Sequence, residues 1–189
     1  LISMLATEME RVDATILERM DSKVPLIPQL AGHLIASGGK RMRPMMTIAG
    51  AMLGSDDAAA RAPAVKLATA VEFIHSATLL HDDVIDESKL RRGRDTANAL
   101  WGNDAAVLVG DFLFARAFEL MVEAGDMTVL GRLAAAAARI TEGEIRQMAI
   151  TGRPATSEAD YLDVIEGKTA VLFSAAAAAG IEITGAGAA

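Results

Sequence analysis

The sequence predicts an all-α chain, and three observations carry that expectation. Apolar residues recur at three- and four-residue spacing in every long segment, and no segment alternates as a strand would. Aromatic residues make up only 4% of the 189 residues, and the hydrophobic fraction of 52% includes ten Met, a palette that suits helix packing better than a β-sandwich. Turn signals such as Pro25, Gly38-Gly39, Gly54, Gly125-Asp126 and Gly152 with Pro154 separate the periodic segments.

The first helix is expected over Ile2 to Met20, where Leu5, Met9, Val12, Ile16 and Met20 form one stripe; Pro25 and Pro28 end it. A short amphipathic segment around residues 27–35 leads to a flexible Gly38-Gly39 joint. Pro44 suits the first helical position of a third element, with Arg43 at its cap, closing near Leu53. The next helix starts near Pro63 and runs to Asp86, followed by a polar, Arg-rich exit loop over residues 87–98. Two long helices are expected from about Asn103 to Glu123 and from Thr128 to Met148, separated by Gly125-Asp126. Gly152 and Pro154 break the pattern, Ser157 caps a short helix to Glu166, and a last apolar helix starts near Lys168. No internal repeat and no dividing linker is visible, so residues 1–189 read as a single helical domain.

The formal net charge is −7, which argues against a nucleic-acid partner, whose binding face is usually basic. The absence of Cys excludes disulfide scaffolds, Cys-based zinc sites and thiol nucleophiles. No apolar run reaches the roughly 20 residues of a membrane span, and the opening residues become charged too early for a signal peptide. A cytoplasmic location without a transmembrane segment is the expectation. The chain begins at Leu1 rather than Met, as a fragment would.

Chemistry concentrates in His81-Asp82-Asp83-Val84-Ile85-Asp86-Glu87, at the end of an otherwise apolar helix. At about 100° per residue Asp82 and Asp86 lie about 40° apart, and His75 lies about 20° from Asp82. Like charges at this spacing repel, and the C-terminal end of the helix dipole adds to the penalty, so a cation between them relieves it. Hard carboxylate oxygens without Cys favour magnesium, which completes its shell with water and phosphate oxygens. A solvated acidic helix end is the plainer reading.

Lys89, Arg91, Arg92 and Arg94 follow at once, a set suited to diphosphate oxygens or to mutual neutralisation with the acidic run. A second basic group, Lys40, Arg41 and Arg43, sits after the paired glycines and beside a helix start, where free N–H groups attract anions; it also reads as an ordinary loop. Gly167-Lys168-Thr169 lacks the glycine that a phosphate-loop nucleotide site requires. Glu144 and Gln147 share a helix face that points to a site or to solvent.

These residues resemble the trans-type isoprenyl (polyprenyl) diphosphate synthases. The matching blocks are GGKRMRP at 38–44, EFIHSATLLHDDVID at 72–86, RRGRDTAN at 91–98, GDFLFARAF at 110–118, EGEIRQ at 142–147 and GKTAVLF at 167–173. The resemblance implies an isoprenoid synthase-type helical bundle around a central cavity, a homodimer, Mg2+, and two substrates, isopentenyl diphosphate and an allylic diphosphate. By matching position Lys40, Arg43, His75 and Arg92 would hold isopentenyl diphosphate. Asp82 and Asp86 would bind magnesium, with Asp83 as a nearby metal or supporting carboxylate. Arg91, Gln147, Lys168 and Thr169 would contact the allylic substrate, and Asp82, Asp86, Arg91 and Lys168 would form the catalytic set. Thr78 and Ala77, four and five positions before the aspartate motif, are small, which in this family goes with a long product of the quinone side-chain kind.

The family also carries a second aspartate-rich motif downstream of GKT. After Lys168 only Glu182 is acidic, so the bundle is expected to be incomplete, holding the first aspartate motif alone, and 189 residues by themselves to be inactive. A non-catalytic diphosphate-binding partner subunit and a class I terpene cyclase are the alternative readings.

Overall fold

A computed structural model describes residues 2–36 and 39–186. Helix α1 covers Ile2–Arg19, α2 Leu26–Ala36, α3 Met42–Gly54, α4 Ala58–Arg61 and α5 Ala64–Ile85. A two-stranded ribbon follows, β1 (Leu90–Arg91) and β2 (Arg94–Asp95), then α6 (Ala97–Trp101), α7 (Asn103–Ala124), α8 (Met127–Ile150) and α9 (Glu158–Ile165). A π turn at Glu166–Ala170 joins α9 to α10, Val171–Glu182.

Helix α5 is the central element. Phe73, Ile74, Leu67 and Leu80 are buried in it, together with Leu5, Val12 and Ile16 of α1, Leu113 and Leu120 of α7 and Leu133 of α8, all within one hydrophobic cluster. Each such side chain contributes roughly 1.5–3 kcal/mol through removal from water. Small residues bring α3 and α10 into backbone contact: a Cβ on Gly50 would run into the Ala177 carbonyl oxygen, and one on Gly180 would meet that of Thr47.

The periodic segments fold as expected, and the punctuation differs in four places. Pro28 does not end an element but lies in the first turn of α2, where its missing N–H has no helical partner to lose. The cap of α3 is Arg41, at φ 47°, and not Arg43; Pro44 is the third residue of the helix rather than the first. The expected exit loop holds the ribbon and α6. The last apolar helix does not begin at Lys168, because α9, the π turn and α10 run on from Glu158 to Glu182. That stretch is long and apolar enough to cross a membrane by length and composition, contrary to the expectation from apolar runs alone. Leu172, Ala175, Ala176 and Ala179 of α10 are nonetheless buried in the shared core. Gly38 of the expected glycine joint lies outside the described residues.

Helix ends follow local chemistry. Asp126 accepts from the Thr128 and Val129 amides at the start of α8, and Ser157 with Asp160 forms a capping box for α9. The end of α5 is closed by Glu87 at φ 50°, with the Glu87 amide donating to the Val84 carbonyl and the Ser88 amide to that of Asp83. This is the double bond pattern of a Schellman motif, made without its usual glycine.

Candidate active site

A cavity of about 490 Å3 opens between α1, α2, α3, α5 and the ribbon. From α5 it is lined by Glu72, Phe73, His75, Ser76, Leu79, Leu80 and Asp83. Glu72 and Asp83 are eleven residues apart, which brings them within about 20° of one another on the helix face.

The basic wall comes from two turns. Strands β1 and β2 pair with Leu90 opposite Asp95 and Arg91 opposite Arg94, so the connection is the dipeptide Arg92-Gly93, at φ 53° and 77°. Two successive left-handed residues are the signature of a type I′ hairpin, and they carry Arg91 and Arg92 to the cavity. Asn98 secures the ribbon, its amide donating to the carbonyls of Asp83 and Ser88, and the Thr96 hydroxyl donates to Ser88 as well. The second turn holds Gly39, Lys40, Arg41 and Arg43 on the opposite rim. A Cβ on Gly39 would lie 3.3 Å from an Arg92 guanidinium nitrogen, so the glycine lets the two turns meet. The Arg43 guanidinium sits 4.2 Å from the centre of the Phe173 ring, its Nε buried without a hydrogen-bond partner.

His75 lies between these turns. Burial and the surrounding positive charge of Arg43, Arg92, Arg91 and Arg41 push its pKa down to about 3. Arg41 and Arg91 are paired with Glu72 and Asp83, so the neutral imidazole beside Arg43 and Arg92 is an environment that suits an anion, whose charge would offset their repulsion. The structure therefore brings Lys40, Arg43, His75 and Arg92 to one cavity. Lys89 and Arg94 are exposed and do not line it.

The acidic group divides. Asp83 is 4% exposed, and both of its oxygens accept from Arg91, at 3.1 Å from Nε and 2.8 Å from Nη2. Asp83 is thus committed to an ion pair and does not fit the role of a metal ligand; Arg91 is equally held. Asp82, about 100° around the helix, faces away from that pair toward Lys168, whose ammonium lies 3.8 Å from Asp82 Oδ2 and 2.7 and 2.9 Å from the two oxygens of Glu144. Burial first, then repulsion from Glu144 and Asp86, raise the Asp82 carboxyl to about 6. That excess of negative charge fits a hard divalent cation at Asp82 and Asp86. Among the described residues no three His, Cys, Asp or Glu converge as a ligand set, so such an ion would draw its remaining ligands from water and phosphate oxygens.

Glu144, ambiguous in the sequence, proves to be the anchor of Lys168. The pair forms because α8 touches the π turn: a Cβ on Gly143 would lie 2.7 Å from the Lys168 amide nitrogen, and one on Gly167 would lie 3.2 Å from the Arg139 carbonyl oxygen. π turns within helices recur at functional sites, and this one aims Lys168 at Asp82. Thr169 beside it is exposed. Gln147 lies apart from this group, lining a shallow depression with Thr151, Arg153 and Tyr161. Glu182, the only acidic residue after Lys168, is paired with Arg132 and is not part of the site.

The two expected chain-length positions differ. Thr78 lies about 40° from Asp82, its hydroxyl donating to the His75 carbonyl. Ala77 is completely buried and does not line the cavity. Two glycines in the matching blocks gain a physical reason: Gly143 as above, and Gly110, whose absent side chain leaves room for the His81 ring. Glu72, paired with Arg41 at 2.5 Å, does not stand out in the sequence, because its block of α5 reads as apolar core.

The polyprenyl synthetase family model matches residues 24–189. Octaprenyl diphosphate synthase of Haemophilus influenzae is 45% identical over 179 residues, 94% of this chain and 53% of that protein. An all-trans-nonaprenyl-diphosphate synthase of Rhodobacter capsulatus is 44% identical, covering 93% of this chain and 54% of its own length. Among solved structures, a decaprenyl diphosphate synthase from Rhodobacter capsulatus superposes with a TM-score of 0.92 at 54% identity, over 97% of this chain and 56% of that one. A polyprenyl synthase from Caulobacter crescentus, complexed with calcium and isoprenyl diphosphate, gives 0.93 at 52% identity, over 97% and 55%. The chain spans about half the length of the curated relatives it matches. With the motif blocks in order, the helical fold shared and the family model matched over most of its residues, the chain belongs to the polyprenyl synthetase family.

Proposed function

We propose that this chain carries the substrate-binding half of a Mg2+-dependent prenyltransferase that condenses isopentenyl diphosphate with an allylic diphosphate, head to tail, into a long-chain polyprenyl diphosphate. The observation that carries the reading is the neutral His75 ringed by arginines in one cavity, with Asp82 and Asp86 farther along the same helix and Lys168 of the π turn facing Asp82. One pocket suits an anion directly, and the other suits an anion that arrives with a cation.

In this reading Lys40, Arg43, His75 and Arg92 hold the isopentenyl diphosphate and Lys168 and Thr169 contact the allylic diphosphate, which Arg91 would join only on leaving Asp83 and Gln147 only on turning out of its separate depression. The allylic C–O bond breaks with both electrons leaving on the diphosphate, the isopentenyl double bond attacks the allylic cation, and a proton is lost. Asp82 and Asp86 would hold magnesium, which would supply Lewis-acid stabilisation of the leaving group. Lys168 and the arginines place positive charge where negative charge develops, the largest usual catalytic term in a water-poor site. A homodimer is part of the proposal, and Leu108, Phe118 and Val122 on the outer face of α7 offer exposed apolar surface for it.

The test is calorimetric binding of isopentenyl diphosphate and of farnesyl diphosphate with Mg2+ to the chain and, with the full-length protein, products from labelled isopentenyl diphosphate resolved by chain length. Saturable binding of both diphosphates is expected, with the allylic one dependent on Mg2+. Asp82→Ala should abolish the Mg2+-dependent component and leave helicity intact. Cyclised hydrocarbon as the sole product would favour a terpene cyclase. Full Mg2+-dependent binding in Asp82→Ala would refute the metal assignment.

A further inference from the structure

The cavity contains a carboxylate that an anion site has no electrostatic use for. Glu72 lines it, is 8% exposed, and faces the same space as Lys40, Arg43, His75 and Arg92. A diphosphate bound there is repelled by it. The side chain holds Arg41, with Nη1 to Oε1 at 2.5 Å, while Arg41 Nε lies 3.5 Å from Asp13 of α1.

Arg41 is the residue that turns the chain into α3. It caps that helix in the left-handed region, at φ 47° and ψ 35°, a conformation unfavourable for a residue with a Cβ, and its carbonyl accepts the Met45 amide at 3.0 Å. Lys40 precedes it and Arg43 follows by two. The direction of both cations therefore depends on a turn that is unfavourable by itself, and the guanidinium grip between α1 and α5 offsets that cost. Strained backbone held by its surroundings is a recurrent feature of ligand sites.

We propose that Glu72 is a positioning residue of the cavity: by gripping Arg41 it fixes the left-handed turn that aims Lys40 and Arg43 at a diphosphate. The inference rests on the reading of this cavity as the isopentenyl diphosphate site, and deepens it by separating the groups that touch the ligand from the group that orients them. Asp83 treats Arg91 in the same way at the far end of the cavity. Two buried carboxylates on one face of α5 thus each hold one arginine, and neither is positioned to contact a diphosphate without losing its partner.

Simple Coulomb attraction and positioning predict opposite results for Glu72→Gln. Loss of a negative charge beside an anion site should tighten binding, whereas loss of the turn should weaken it. Two measurements on the chain decide the matter: amide hydrogen exchange at Met45 without ligand, and calorimetric affinity for isopentenyl diphosphate. The expected result is exchange about tenfold faster at Met45 with α7 and α8 unchanged, and affinity about tenfold weaker with the Mg2+-dependent allylic component preserved. Arg41→Ala, at a partly exposed residue, should reproduce the exchange result, and it decides the matter if Glu72→Gln does not fold. Unchanged Met45 protection in the folded variants, or affinity unchanged or tighter in Glu72→Gln, overturns the proposal. Failure of the unaltered chain to bind isopentenyl diphosphate would instead overturn the proposed function, and the exchange measurement would still judge the positioning role.

Discussion

His75 should make this chain acid-sensitive in a way that one substitution removes. In the folded state its imidazole stays neutral down to about pH 3, because burial and the guanidinium groups of Arg43, Arg92, Arg91 and Arg41 disfavour the charged form; its ordinary value is 6.5. As pH falls below 6.5 the unfolded chain takes up a proton that the folded chain refuses, so stability falls. The effect is absent above about pH 7, grows through the window from 6.5 to about 3, and is complete below it. Between about pH 8 and about pH 5 it amounts to about 2 kcal/mol from this one group, at 1.36 kcal/mol per pH unit below the unfolded value. With a urea dependence of about 2 kcal/mol per molar, the unfolding midpoint should shift by roughly 1 M.

The assay is urea unfolding of the unaltered chain and of His75→Gln at both pH values. Other titrating groups contribute to both proteins, so the difference between their pH dependences isolates His75. The unaltered chain should lose about 2 kcal/mol more than the variant; parallel lines for the two proteins would refute the reasoning. The same electrostatics links binding to protonation. Burial is the first cause of the neutral His75 and arginine repulsion the second; a diphosphate in the cavity offsets the second, so binding near pH 5 should take up protons, detectable as a dependence of the binding heat on buffer ionisation enthalpy. His75→Gln should lose that dependence.

Gly143→Ala places a methyl group 2.7 Å from the Lys168 amide, a backbone atom that cannot rotate away, so we expect about 1–3 kcal/mol of destabilisation and weaker Mg2+-dependent allylic binding. Gly131→Ala on the same helix meets nothing within 4 Å and should stabilise by up to about 1 kcal/mol through helix propensity; equal melting shifts for the two would contradict the contact. In the full-length protein Ala77→Phe should shorten the prenyl product, and because Ala77 is fully buried it should also cost about 1–3 kcal/mol of overpacking. An unchanged product distribution in the folded variant would remove Ala77 from the chain-length argument.

Adjacent residues on a helix show why part of the site is legible in the sequence and part is not. The 3.6-residue period gives the direction of each side chain, and the sequence alone therefore puts His75, Asp82 and Asp86 on one stripe. It does not give the partner. Asp82 and Asp83 differ by about 100°. That turn sends one to Lys168 and Glu144 and the other to Arg91, although the sequence presents them as a single acidic pair. The choice depends on the hairpin after α5 and on the contact between α8 and the π turn, and neither leaves a periodic trace. The hairpin is set by two left-handed residues at Arg92-Gly93, only one of them a glycine. The π turn is set by Gly143 meeting Gly167 across 24 residues of chain. Periodicity reports the hydrophobic face, on which buried area decides the outcome. Carboxylates such as Glu72, Asp83 and Glu144 are placed by individual ion pairs across the fold, and a one-dimensional pattern has no record of those distances.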